Sequence, residues 1–263
     1  MEPAVFDRYS QSYDADFTET KVGKSQRNRV WKLLSGILPT DKKWNILEVN
    51  CGTGADAIWL ASLGHRVLAT DISSEMVAIG RQKSRFSELN LEFQTVGFQN
   101  ITSTGEPETF DLIFSNFGGL NCISENDLKI FLRAANRLLK PDGKLVMVVM
   151  PSFCLWETLF YLLKFQPTNA FRRMKSRAKA NLEGNDLWVY YHNPFRVCRL
   201  ARDSFDMKKL ASVGLFLPPS YLANFFRNKP RLLKILNSME SLFSGFSWFS
   251  ALSDHYFLLL KKR

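Results

Sequence analysis

A strand-length apolar run that breaks on closely spaced glycines and passes directly into a helical pattern leaves a chain few choices of fold. Here that run is Trp44-Asn45-Ile46-Leu47-Glu48-Val49-Asn50-Cys51-Gly52-Thr53-Gly54, and the apolar spacing from Ala55 to Ala61 continues it as a helix. Glycine at 52 and 54 accepts positive φ and lets a ligand approach the backbone, where the free N–H groups of the following helix face it. Gly64-His65 closes that helix, Arg66 to Thr70 reads as a second strand, and Asp71 falls at its end, 17 residues past Gly54. An acid there accepts hydrogen bonds from ribose hydroxyls in dinucleotide-type folds.

Three further strands follow, Leu91 to Val96, Phe110 to Phe114 and Lys144 to Met150. Helical stripes separate them, one with a cap at Ser73 or Ser74 and one carrying Ile130, Phe131, Ala134 and Leu138, and Lys140-Pro141-Asp142-Gly143 reads as a turn. Strands alternating with helices five times predict a parallel sheet covered by helices on both faces.

With these elements in place, the chain resembles the class I S-adenosylmethionine (SAM) dependent methyltransferases, whose first strand carries an acid before the glycine turn and whose second ends in an acid; here these are Glu48 and Asp71. A nicotinamide enzyme would need glycine at Ala57 for its spacing. The resemblance implies an α/β Rossmann-like fold with seven mostly parallel strands, SAM as cofactor and S-adenosylhomocysteine as product. It places cofactor contacts at Tyr13, Glu48, Asn50, Cys51, Gly52, Gly54, Asp71, Ile72, Phe98, Gln99 and Asn116. Two positions depart from the family pattern. Asn50 stands where the first glycine is usual, which asparagine tolerates because it enters the left-handed region cheaply. Phe98 stands where an acid commonly binds the adenine amino group, so stacking on Phe98 and a contact from Gln99 are expected instead.

Four regions are expected. Residues 1–40 form N-terminal helices over the cofactor, with Phe6, Tyr9 and Tyr13 on one face, and residues 41–150 form the SAM-binding core. Residues 151–200 form a helical lid inserted after the fifth strand, a helix after Pro194 runs to Gly214, and residues 201–263 complete the sheet, with an amphipathic helix opened by Pro230 and a final antiparallel strand beside the sheet edge.

The net charge of +10 is uneven: residues 1–151 carry 17 Lys+Arg against 18 Asp+Glu, whereas residues 152–263 carry 18 against 7. The four widely spaced cysteines include no C-x-x-C, and three histidines form no ligand spacing, so neither a metal centre nor a disulfide framework is expected. The N-terminus has no basic-then-apolar leader and the longest apolar runs are too short to span a bilayer, which fits a cytoplasmic protein.

Methyl transfer from a sulfonium needs alignment, water exclusion and at most one base, and Tyr191 and His192, beside the expected lid, are the candidates for that base. The apolar stretch from Phe153 to Leu163 running into the basic segment Arg172 to Lys179 suits a small amphipathic or anionic acceptor, an acyl or lipid-like acid, an acidic carrier protein or an anionic membrane surface. A nucleic-acid (RNA) methyltransferase is the alternative raised by the basic later half, against which stands the lack of an Asn-Pro-Pro-aromatic motif after the fourth strand; a catalytically silent SAM or lipid binder of the same fold is the other.

Overall fold

The computed structural model describes residues 5–182 and 185–263; the N-terminal residues 1–4, on which the expectation about a leader rests, lie outside the described residues. Nine strands are present among them: β1 (Asn45–Val49), β2 (Arg66–Asp71), β3 (Leu91–Thr95), β4 (Phe110–Ser115), β5 (Leu139–Val149), β6 (Arg177–Leu182), β7 (Asn185–Tyr190), β8 (Phe205–Val213) and β9 (His255–Lys262). The helices are α1 (Val5–Tyr13), α2 (Lys21–Ser35), α3 (Ala55–Ser62), α4 (Ser74–Ser84), α5 (Glu125–Leu138), α6 (Leu155–Leu163), α7 (Pro167–Ala170), α8 (Pro194–Ala201), α9 (Ala223–Phe226) and α10 (Pro230–Phe243).

Seven strands form one sheet in the order β3-β2-β1-β4-β5-β9-β8, parallel except that β9 runs against both neighbours. Strand side chains alternate between faces. In β1 this sends Leu47 and Val49 into the core shared with Phe131, Leu138 and Tyr256, and Ile46 into the opposite core with Leu60, Phe114 and Phe257. Glu48 lies on the second face too, buried beside Asp56 and Arg27, and its surroundings shape the site.

Several expectations are corrected. The final strand β9 is antiparallel and lies beside the edge strand, β8, which is expected from the sequence as helix. The segment expected as one helix from Pro194 to Gly214 is the short helix α8 followed by β8, which pairs with β9 along its length. The turn at Lys140 to Gly143 is absorbed into the start of β5 as an irregularity, with Asp142 at φ 63° and the register against β4 shifting there. The lid is not wholly helical: after α6 and α7 the basic segment folds into the β6–β7 hairpin, where Arg177 pairs with Tyr190 and Lys179 with Trp188.

Direction decides where everything else goes. β5 and β8 both end at the edge where β1, β2 and β4 end, because each is antiparallel to β9 and Val213 lies opposite His255. The segment from Met150 to Asn193 and the segment from Gly214 to Asp254 therefore both leave the sheet at its carboxyl edge, where open parallel sheets hold ligands.

Candidate functional site

Three alternate residues of the turn after β1 adopt left-handed φ: Asn50 at 51°, Gly52 at 54° and Gly54 at 79°. Each does different work. Gly54 starts α3 and packs inward, since a Cβ there would fall 2.6 Å from the Phe93 ring. Gly52 faces the cleft with the Tyr13 ring above it, and its N–H donates to Asp71 Oδ2 at 2.8 Å. Asn50 uses its carboxamide as a bridge, taking a hydrogen bond from Ser115 Oγ (2.5 Å) and donating to the Asn116 carbonyl (2.8 Å). It thereby ties the β1 turn to the β4 turn.

Asp71 also accepts from Ser73 N–H at 2.9 Å, while Ser73 Oγ caps α4 by accepting from Met76 N–H at 3.1 Å. Burial raises the Asp71 carboxyl above its ordinary value, and the backbone donors from Ser73, Gly52 and Ile72 only partly offset that. Those backbone donors do not exhaust the carboxylate's acceptor sites, so it can still take a ligand hydroxyl.

Helix α1 and the π-turn after it (Asp14–Thr18) clamp over this turn. Asp7 accepts from Ser73 Oγ at 2.5 Å, and Asp14 accepts from Thr53 Oγ1 at 2.7 Å and pairs with Lys83. The Tyr13 phenol is enclosed, and burial pushes it up to about 12. Phe17 packs edge-on against Phe117, with ring centroids 5.0 Å apart, and the Arg27 guanidinium lies over both rings.

The result is a cleft of about 140 Å³. Of the residues expected at the cofactor, Tyr13, Asn50, Gly52, Asp71, Ile72, Phe98 and Asn116 line it. Phe98 stands edge-on to Phe131 at 5.8 Å, which fixes its ring plane. Cys51 and Gly54 lie behind the turn as buried supports, and Gln99 is exposed and does not line the cleft. Phe6, Phe117, Gly118, Gly119 and Cys122 line it as well. The glycine-bearing loop after β4, Ser115 to Asn121, is the sequence signal for the Asn116 to Gly119 part of this wall, and Cys122 lies just beyond it.

Behind the cleft lies a buried charge network that pattern could not assemble. Asp56 pairs with Arg27 and also accepts from Trp31 Nε1 (2.6 Å) and Asn116 Nδ2 (2.9 Å). Glu48 is buried beside it and burial raises its carboxyl well above the ordinary range, with Asp56 adding to the shift and Arg27 opposing it. Its Oε2 has no hydrogen-bond partner among the described residues. An unpartnered buried carboxylate oxygen beside the glycine turn is what a cofactor carrying an α-ammonium group would satisfy, so the residues present fit SAM.

Tyr191 and His192 are not brought to this cleft. They line a second one with Ser124, Glu125, Met174 and Arg196. His192 Nε2 sits 3.1 Å from the Leu120 carbonyl and 3.2 Å from that of Ile123, which makes it an N–H donor holding that loop, and burial lowers its pKa. The Tyr191 ring packs against the Arg173 guanidinium at 5.4 Å, and burial raises its phenol.

Comparison with known proteins agrees with this geometry. Residues 46–143 match the family model of a methyltransferase domain. A demethylmenaquinone methyltransferase from Clavibacter sepedonicus is 29% identical over 149 residues, 55% of this chain and 56% of that protein. The chain spans about half the length of the first curated relatives it matches. Among solved structures, the PH0226 protein from Pyrococcus horikoshii superposes with a TM-score of 0.64 at 17% identity, covering 98% of this chain and 100% of that one. The 1,6-didemethyltoxoflavin-N1-methyltransferase from Burkholderia thailandensis, solved with S-adenosylhomocysteine, gives 0.59 at 15% identity, covering 98% and 86%. Residues 46–143 thus carry a methyltransferase domain, and the glycine turn, the acids at 48 and 71 and the strand order around it have the features of the class I, S-adenosylmethionine-dependent methyltransferase fold.

Proposed function

We propose that this chain methylates a small, largely apolar acceptor that brings its own ionised or readily ionised nucleophile. The observation that carries this reading is the chemistry of the cleft wall. Among the described lining residues the titratable side chains are Tyr13, Asp71 and Cys122. Burial pushes Tyr13 and Cys122 each up to about 12, so both stay protonated at neutral pH, and Asp71 is committed to two backbone N–H groups. None is a free general base.

Bound SAM supplies an electrophilic methyl group. The chain's own residues then bind, orient and exclude water. Asp71 accepts from hydroxyls at the end of β2, Glu48 offers an unpaired oxygen beneath the turn, and the Phe98 ring gives a planar surface held by Phe131. Phe6, Tyr13 and Phe117 close the outer side with hydrocarbon, which keeps water from the nucleophile. An acceptor whose nucleophile is already a carboxylate, enolate, phenolate or thiolate needs nothing more than alignment. The demethylmenaquinone and didemethyltoxoflavin methyltransferases, named for small-molecule acceptors, support this class.

The test is incubation of the protein with methyl-labelled SAM and a cell extract, followed by solvent partition. Label in the organic phase is expected; label confined to RNA would reject the reading.

A further inference from the structure

Helix α6 is built inside out. Glu157 and Thr158 are its buried residues, whereas Leu155, Leu159, Leu162 and Leu163 are 39%, 50%, 42% and 81% exposed and share one face at helical spacing. The polar side fastens the helix. Glu157 takes Arg172 Nε at 2.6 Å and Arg173 Nε at 3.0 Å, Arg173 goes on to Asp254 Oδ1 at 2.8 Å, and Thr158 Oγ1 donates to the Ala170 carbonyl at 3.1 Å. A helix meant for water would turn the other way.

Helix α10 adds a second such stripe. Leu233 and Glu240 face in, while Leu232, Ile235, Leu242 and Phe243 lie exposed along an adjoining face within an arc of about 100°. The two helices are neighbours. Phe160 and Tyr161 of α6 pack on Tyr221, and Trp156 packs on Phe226, which shares an apolar cluster with Leu233 and Leu236 of α10.

Of the twenty-three exposed large apolar side chains among the described residues, nineteen fall between residues 155 and 252, within the stretch 152–263 that carries 18 basic residues against 7 acidic. Cations sit on aromatic rings beside the two stripes: Lys164, next to Leu163 in the chain, over Phe160 at 4.3 Å, and Lys229, next to the Pro230 that opens α10, over Phe225 at 3.1 Å. Hydrocarbon with cations beside it matches the inside and the headgroups of an anionic bilayer.

We infer that the α6–α10 surface seats this protein on an anionic lipid membrane, at the carboxyl edge of the sheet where the cleft lies. A bilayer suits the surface better than an acidic protein does. The exposed apolar side chains come from two separate helices, and acyl chains solvate any relief they form whereas a folded partner would need a matching shape. No helix of the described residues is long and apolar enough to cross a membrane, so the contact is peripheral. Docking is independent of the methyl-transfer reading.

The experiment is co-sedimentation of the full chain with vesicles of phosphatidylcholine alone and with phosphatidylglycerol added, at low and high salt, with neither cofactor nor acceptor present. Binding to the mixed vesicles at least about tenfold tighter than to neutral ones, weakening with salt, is expected. The pair Leu162→Glu with Leu163→Glu, and separately Leu242→Glu, should each weaken it by about tenfold or more while leaving the melting temperature and the calorimetric affinity for SAM unchanged. No binding to mixed vesicles, or equal binding by these variants, overturns the inference. So does a concentration-dependent dimer that the same variants dissolve, which would show a second copy covering the face.

Discussion

The Asn50 carboxamide fills the space that a Cβ on Gly119 would need, so the turn after β1 and the loop after β4 are fitted to each other side chain against bare backbone. The bridge from Asn50 to Ser115 and Asn116 depends on that fit. Gly119→Ala should therefore push Asn50 aside and cost about 1–3 kcal/mol in denaturant unfolding, as overpacking does. Asn50→Gly keeps the backbone angle and should restore most of that loss in the double variant. Additive losses would show that the two residues do not meet.

Phe98 is expected to present its ring to the cofactor's adenine. Phe98→Ala should weaken SAM binding, while Phe98→Tyr should leave it nearly intact, because the edge contact with Phe131 holds either ring. Equal affinity across the three proteins would make Phe98 core only.

The Arg173–Asp254 pair makes a prediction about stability and pH. Burial alone would raise the Asp254 carboxyl, but the neighbouring His255 ring and the Arg173 guanidinium outweigh it and hold the group well below its ordinary 3.8. A carboxylate depressed on folding stabilises fully above its unfolded value and loses that contribution as pH falls below it. Acid unfolding should thus steepen below pH 3.8, and Asp254→Asn should both flatten that limb and cost about 3–5 kcal/mol at neutral pH by leaving a buried guanidinium short of charge. An unchanged acid limb would show that the pair carries no such linkage.

Cofactor affinity should also fall as pH falls, but from a higher pH than the acid limb of unfolding. Asp71 is raised by burial, so it takes up a proton at a higher pH than an ordinary carboxyl, and only the ionised form accepts from hydroxyls with both oxygens. Lowering pH toward the carboxylate range should weaken SAM binding before the fold is lost. In Asp71→Asn the affinity should be lower and the contribution of this group to the pH dependence should vanish. A pH profile identical to that of the wild type would exclude Asp71 from the site.

The parts of this molecule that repeat a local rule were readable in the sequence. The strand-glycine-helix unit, the acid closing β2, the serine cap of α4 and the alternation through β5 each need only neighbours in the chain. What escaped depends on distant pairing. β8 begins Phe205-Asp206-Met207-Lys208-Lys209, polar enough to continue a helix, and is a strand because β9 lies beside it. The basic segment after α7 becomes a hairpin through pairing with Asn185–Tyr190. Nothing local sets Arg27 apart from Lys21 and Lys24 before it, and Asp56, 29 positions away, is what buries and pairs it. Tyr191 and His192 looked available for catalysis because the Leu120 and Ile123 carbonyls that occupy His192 come from another loop.

Titration calorimetry of the wild type and Asp71→Ala with SAM, S-adenosylhomocysteine and NAD tests the cofactor cleft most directly. Binding of SAM and S-adenosylhomocysteine is expected, weakened by about 1.5–3 kcal/mol in Asp71→Ala, the range for a hydrogen bond to a charged group. NAD binding more tightly than SAM, or Asp71→Ala binding SAM as well as the wild type does, would contradict it.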